Sequence, residues 1–77
     1  MRFSRSARKH RIGRPSARHV IETISATQTT SALTGEALWA WVGNDDRSRE
    51  LEIVAIEKPD ALLVVHVMPT HYRRSTP

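Results

Sequence analysis

Residues 36–68 read EALWAWVGNDDRSRELEIVAIEKPDALLVVHVM, and this stretch decides the fold. It contains three β-type runs rich in β-branched, aromatic and aliphatic residues. The runs are Ala37 to Val42, Leu51 to Ile56 and Ala61 to Met68. Turn-forming residues 43–48 separate the first two runs, and Lys58-Pro59-Asp60 separates the last two. Because connections this short join neighbouring strands that run in opposite directions, the sequence predicts an antiparallel meander.

The last of these runs indicates how the sheet is oriented. Side chains alternate between the two faces of a strand, and the set formed by Leu63, Val65 and Val67 is entirely aliphatic. We expect this set to face the helices, which leaves His66 on the open face of the sheet. Pro69 is expected to end the strand, because proline has no N–H for the ladder.

The segment before the sheet predicts two short helices. Ser4 can cap a first helix that runs to about His10, and Ile12-Gly13 breaks it. Pro15 suits the first position of a second helix. The residues with the spacing of one buried face in this second helix are Ala17, Val20, Ile21 and Ile24.

The predicted fold class is therefore α+β, with two N-terminal helices packed on a three- or four-stranded antiparallel meander sheet. Ser25 to Gly35, rich in Ser and Thr, is predicted to be a connector that can include a short strand at its end. All 77 residues are expected to form one domain, with a basic helical part (1–26), the sheet (36–68) and a basic tail (69–77). A domain of this size buries only about 60% of its unfolded surface, so we expect a small core.

The distribution of charge points to a polyanionic partner. The chain has 12 Lys and Arg against 8 Asp and Glu, and all seven basic residues of the first 21 positions lie in a stretch without an acid. Clustered cations favour RNA, DNA or an acidic protein. The absence of cysteine excludes a disulfide scaffold and Cys-ligated zinc and is compatible with a reducing cytosol. We expect a cytoplasmic protein without a membrane span, because no apolar run approaches about 18 residues.

The order of short motifs along the chain resembles the BrnT-like toxins, small RelE-superfamily ribonucleases of bacterial type II toxin–antitoxin pairs. The motifs are Arg8-Lys9-His10, Glu36-Ala37-Leu38-Trp39, Gly43, Arg49-Glu50-Leu51-Glu52-Ile53-Val54 and a last strand with a basic tail. The layout is most similar to short actinobacterial toxin-like proteins whose last strand is like residues 64–69, VVHVMP. The resemblance implies an α/β fold with a three- or four-stranded antiparallel sheet, RNA cleavage without metal or cofactor, and a tight antitoxin partner.

Metal-free RNA cleavage needs a base for the ribose 2′-OH, an acid for the leaving 5′-oxygen and cations for the phosphate. The candidate catalytic residues are His66, His10 and Lys9, and the candidate RNA- and phosphate-binding residues are Arg8, Arg73, Arg74 and Tyr72. His66 stands out because it interrupts an aliphatic strand, although a half-buried histidine bonded within the protein is the alternative. His10 can equally be a solvated cation at a helix end. No histidine has HxxxH spacing, so we expect no metal site.

Three hypotheses for the whole chain follow, of which the third is a pure protein-interaction subunit that does not bind nucleic acid at physiological salt. The leading one is a toxin: a metal-independent endoribonuclease that inhibits translation, held by a cognate antitoxin, whose RNA substrate can be ribosome-associated. In it His66 and His10 exchange protons, and a phosphate held by Arg73 would favour an acid role for His66. The alternative is a non-catalytic, basic nucleic-acid-binding module. Trp39 and Trp41, on one side of the first strand, fit either core packing or a partner hot spot.

Overall fold

The computed structural model describes residues 1–71 of the chain. Its elements are β1 (Arg2–Phe3), a 3₁₀ turn (Ser6–Arg8), α1 (Arg14–Thr23), β2 (Thr27–Thr30), β3 (Ala37–Asn44), β4 (Glu50–Glu57) and β5 (Leu62–Pro69). Within this range the strands form one five-stranded sheet in the order β1-β5-β4-β3-β2. β1 runs parallel to β5, and the other neighbours are antiparallel. The sheet is therefore mixed.

The predicted first helix is wrong. Strand β1 precedes Ser4, and in place of a helix from Ser4 to about His10 the chain forms only the single 3₁₀ turn Ser6–Arg8. The Ser4 hydroxyl does accept the N–H of Ala7, at 3.3 Å, but it caps only this turn. A backbone bond from Ser4 N–H to the Val64 carbonyl, at 2.8 Å, ties the preceding residues to β5 instead.

Like charges explain why a longer helix does not form here. In a helix, Arg5 would lie one turn from both Arg8 and Lys9, and cations at that spacing repel one another. Arg11 has a φ of 58°, a left-handed conformation that no helix continues through. Repulsion among these basic residues therefore disfavours the helix that Ser4 was expected to cap.

The predicted second helix is confirmed as α1. It begins at Arg14 with Pro15 in its first turn, and it buries Ala17 and Val20 against the sheet. Ile21 and Ile24 pack at the edge of the same core. In the part of the chain that the structure describes, no helix is long and apolar enough to cross a membrane.

The three predicted strands are confirmed as β3, β4 and β5, but the expected three- or four-stranded antiparallel meander is wrong. β1 adds a parallel edge, and β2 forms the opposite edge within the Ser- and Thr-rich connector. Every residue of β2 is exposed. Its sequence, Thr-Gln-Thr-Thr, has β propensity but no apolar alternation, which is why a pattern-based analysis treats it as a linker.

The core lies between α1 and one face of the sheet. Leu51, Ile53 and Ala55 of β4 have no exposed surface, and Trp41 of β3 is 5% exposed. Trp39 is half-buried against the same core. Both indoles therefore lie on the α1 side.

A β-bulge in β5 changes which of its side chains reach this core. Val54 pairs with His66 whereas the next residue, Ala55, pairs with Val64, so Val65 is the extra residue. Val64 and Val67 are consequently the buried pair. The expectation that residues 63, 65 and 67 share the core face is thus wrong for the first two. His66 lies on the open face, as expected. Its partner Val54 lies between the buried residues Ile53 and Ala55, so Val54 and His66 both point away from the core.

Candidate functional site

The sheet face opposite α1 divides into an apolar part and a polar end. The half-buried apolar residues of this face are Leu38, Ala40, Val54, Ile56 and Leu63. The polar end lies toward the β3–β4 turn and the end of β5. We define the candidate site as the four polar residues there, Glu50, Glu52, His66 and Thr70.

His66 and Glu52 form the centre of this site. His66 Nε2 lies 3.1 Å from Glu52 Oε1, and their side chains are 35% and 19% exposed. An ionised carboxylate only accepts hydrogen bonds, so this contact places the ring proton on Nε2 and leaves Nδ1 as the basic nitrogen. The contact with the Glu52 carboxylate fixes the orientation of this half-buried imidazole.

Glu50 and Thr70 extend the site beside this pair. The Thr70 hydroxyl donates to Glu50 Oε1 at 2.6 Å, and Thr70 is only 3% exposed. Glu50 and Glu52 alternate with buried Leu51, so both carboxylates leave β4 on the open face, roughly 7 Å apart along the strand. A cleft of about 280 Å³ opens here, lined by Ser48, Arg49, Glu50, Pro69, Thr70 and His71. It combines a carboxylate, a guanidinium and an imidazole.

The β3–β4 turn holds Arg49 at this cleft. Asp45 is 4% exposed and accepts the backbone N–H groups of Arg47 and Arg49, at 2.9 and 2.8 Å. Its Oδ2 also accepts Arg49 Nε at 2.9 Å. Burial acts to raise the pKa of the Asp45 carboxyl, but these bonds and the Arg49 charge together hold that pKa below its ordinary value. Asp45 therefore organises the turn.

The same turn is tied to the start of α1. Ser16 donates its hydroxyl to Asp46 Oδ1 at 3.0 Å, and an Arg49 NH2 group lies 3.4 Å from the Ser16 oxygen. Ser16 is itself 8% exposed. Hydrogen bonds therefore connect the start of α1 to the β3–β4 turn that lines the cleft.

The basic N-terminal segment is open to solvent. Its Lys and Arg residues, all exposed, are Arg2, Arg5, Arg8, Lys9, Arg11, Arg14 and Arg18. The 3₁₀ turn anchors the segment, because Ser6 donates to the carbonyl of Val65 at 2.9 Å and Ala7 is buried in the core. The basic segment is thus attached to β5 at Val65, the bulge residue that directly precedes His66.

The predicted site residues fall into two separate groups, His66 on β5 and Arg8, Lys9 and His10 at the 3₁₀ turn. Within residues 1–71, the hydrogen-bond partner of the His66 ring is Glu52, and neither His10 nor Lys9 takes that place. Arg8, Lys9 and His10 are at the end of the 3₁₀ turn, whose Ala7 packs into the core on the α1 side. The remaining candidates, Tyr72, Arg73 and Arg74, lie outside the described residues.

Sequence reasoning missed the two carboxylates of the site. Glu50 and Glu52 are two apart on a predicted strand, on the side opposite its buried residues, and that alternation was the available signal. Pairing Glu52 with His66, however, requires the register of β4 against β5. Among residues 1–71, no group of three or more His, Asp and Glu side chains could hold a metal ion.

Comparisons with known proteins identify no relative of this chain. No family model matches it. No curated protein and no solved structure is significantly similar to it.

Proposed function

We propose that this chain is the toxin of a type II toxin–antitoxin pair and cleaves RNA in the cytoplasm by a metal-independent reaction. The observation that supports the proposal is the His66–Glu52 pair, which lies on an open sheet face next to a cleft bearing a second carboxylate, a guanidinium and an imidazole. The resemblance of the motif order to BrnT-like toxins points in the same direction.

The proposed reaction begins at His66. Its Nδ1 removes the proton of a ribose 2′-OH, and the resulting oxygen attacks the adjacent phosphorus. The bond from phosphorus to the 5′-oxygen breaks, which leaves a 2′,3′-cyclic phosphate and a 5′-hydroxyl. Glu52 stabilises the imidazolium that forms, because its negative carboxylate accepts a hydrogen bond from the Nε2–H group. The pairing suits His66 to the role of base.

The leaving 5′-oxygen needs a proton from a second group. In this proposal His71, which lines the cleft with Glu50 and Thr70, supplies it. This assignment replaces the exchange between His66 and His10 as the preferred pathway. His10 then belongs with Arg8 and Lys9 to the surface that attracts the RNA.

Binding of the RNA is assigned to the exposed basic segment. Neutralisation of phosphates by Lys and Arg releases counterions, which makes affinity steeply dependent on salt. A cognate antitoxin would cover the apolar part of the open face and, by doing so, block access to His66. A chain this small gains stability from such a partner, because its own core is limited.

The experiment is induction of the chain without a partner in a bacterial host, followed by measurement of growth and of RNA integrity. The proposal expects growth arrest and cleaved RNA. His66→Gln and Glu52→Gln should both relieve the arrest while the proteins stay folded. His19→Gln is the matched control, because His19 lies on α1, outside the site. Normal growth with intact RNA on induction of the unchanged protein would contradict the proposal.

A non-catalytic nucleic-acid-binding module is the second candidate, and the exposure of all seven N-terminal cations favours it. The two functions differ in which substitutions matter. For a binding module, removing the charges of Arg8 and Lys9 weakens the effect on cells and His66→Gln leaves it unchanged. For the nuclease, His66→Gln has the larger effect and RNA binding persists.

A further inference from the structure

A second cavity, of about 530 Å³, lies on the α1 side of the sheet, at the end marked by the β4–β5 turn. Its lining residues are Ala26, Trp39, Trp41, Glu57, Pro59, Asp60, Ala61 and Leu62. The volume is in the range typical of small-molecule sites. It is separate from the His66 site, which lies on the opposite face.

Two indoles and two carboxylates give this cavity its chemical character. Trp41, 5% exposed, is buried at its base, whereas Trp39 is half-buried. The Trp39 Nε1–H donates to Glu57 Oε1 at 3.0 Å, which fixes the orientation of the ring against the carboxylate. Asp60, with its side chain 70% exposed, stands at the rim. The remaining lining residues are apolar.

The charge of this cavity is opposite to that of the chain. The whole protein carries a net charge of +4. Among residues 1–71, those that line the cavity include two acids and no Lys, Arg or His. Indole faces attract cations through the ring quadrupole, and carboxylates at the rim add a second attraction of the same sign. A guanidinium already reaches the rim, because Arg2 lies 3.4 Å from Asp60 Oδ1.

We propose that this cavity binds an organic cation, an ammonium or guanidinium group carried on an apolar body. The cationic group would lie against the indole rings, within reach of the carboxylates of Glu57 and Asp60. The apolar body would pack against Leu62 and the small side chains of the cavity. This proposal is independent of RNA cleavage, since it uses none of the residues assigned to that reaction.

The cavity contains its own reporter, because Trp39 and Trp41 are the only tryptophans of the chain. The experiment is a titration of the full chain followed by intrinsic fluorescence, with phenethyltrimethylammonium as the probe. The neutral 3-phenylpropan-1-ol and the anionic 3-phenylpropanoate, of similar size, are the ligand controls. We expect a saturable change with the cation, weaker binding of the alcohol and no binding of the carboxylate.

Two variants locate the binding. Glu57→Gln keeps an acceptor for the Trp39 N–H but removes the charge, and Asp60→Asn does the same at the exposed rim, so neither should unfold the protein. Each should weaken binding of the cation about three- to fivefold, the range of a partly exposed ion pair. Neither should alter binding of the alcohol, and Glu22→Gln, an exposed acid of α1, should change nothing. Equal affinity for cation and alcohol, unchanged binding of the cation in both variants, or no saturable change with the cation would overturn the proposal.

Discussion

Asp45 provides the sharpest prediction of stability, because one buried carboxylate organises the turn that holds Arg49 at the cleft. The side chain of Asp45 has no exposed surface. Asp45→Asn keeps its size and one carbonyl oxygen, which can still accept the backbone N–H groups of Arg47 and Arg49. The amide that replaces Oδ2, however, is a donor facing the donors of the Arg49 guanidinium.

The expected cost is set by the bonds that the substitution changes. The bond from Arg49 Nε, 2.9 Å long, is lost, and a hydrogen bond to a charged group contributes about 1.5–3 kcal/mol. The two backbone bonds change from charge-assisted to neutral, which adds a smaller loss. We expect a loss of about 2–4 kcal/mol in the free energy of unfolding. A domain of this length has roughly 4–12 kcal/mol in total, so the melting temperature should fall by at least about 8 °C.

The assay is thermal and urea denaturation followed by circular dichroism, at neutral pH and in acid. Because the pKa of Asp45 is lower in the folded chain, its contribution to stability is complete above the unfolded pKa near 3.8. That contribution is lost as the pH falls through the folded value. The difference between wild type and Asp45→Asn should therefore shrink as the pH is lowered below about 4.

Two comparisons isolate this effect. Glu36 also has a lowered pKa, owing to hydrogen bonds from the Lys58 and Thr34 side chains, but it is present in both proteins and cancels in the difference. Asp46→Asn is the matched control, because exposed Asp46 accepts only the Ser16 hydroxyl among its described bonds, so its substitution should cost less than about 1 kcal/mol. Equal losses for the two substitutions, or a difference between wild type and Asp45→Asn that does not shrink as the pH is lowered, would refute the reasoning.

Two further predictions concern packing and RNA binding. A Cβ at Gly43 would lie 2.5 Å from Ile24 Cγ1, so Gly43→Ala should destabilise the fold by about 1–3 kcal/mol in urea denaturation. Gly13→Ala is the control and should cost less, because its new Cβ meets no atom closer than 3.7 Å. Equal losses for the two substitutions would contradict the close approach of Gly43 and Ile24. Arg8→Ala with Lys9→Ala should reduce the slope of log affinity for single-stranded RNA against log salt by about 1.4, measured by fluorescence anisotropy, and an unchanged slope would remove these residues from the interface.

The parts of the fold that the sequence predicts are those whose pattern is local. The strands β3, β4 and β5 follow from apolar runs between turn clusters, and α1 follows from one buried stripe after a proline. The edge strands β1 and β2 carry no such pattern. They are strands because a neighbouring strand supplies their hydrogen bonds. The four polar residues of β2 and the two residues of β1 do not by themselves predict this pairing.

The candidate site was predictable in part for the same reason. His66 interrupts an aliphatic strand, and that interruption identifies it without a structure. Its partner Glu52 depends on the register between β4 and β5, which the bulge at Val65 sets. A run of valines and leucines does not show where a bulge will form. The sequence therefore could not predict that Val64 rather than Val65 is buried in the core, nor that His66 contacts Glu52.

The most direct test of the central claim is cleavage of a single-stranded RNA by the purified chain. We predict products that end in a 2′,3′-cyclic phosphate and no cleavage of an RNA with 2′-deoxyribose at the cut position. His66→Gln should lower the rate by about 10²–10⁴-fold, the range of general acid–base catalysis, while His19→Gln retains the wild-type rate. Equal rates for His66→Gln and His19→Gln, or an RNA left intact by the wild-type protein, would contradict the account.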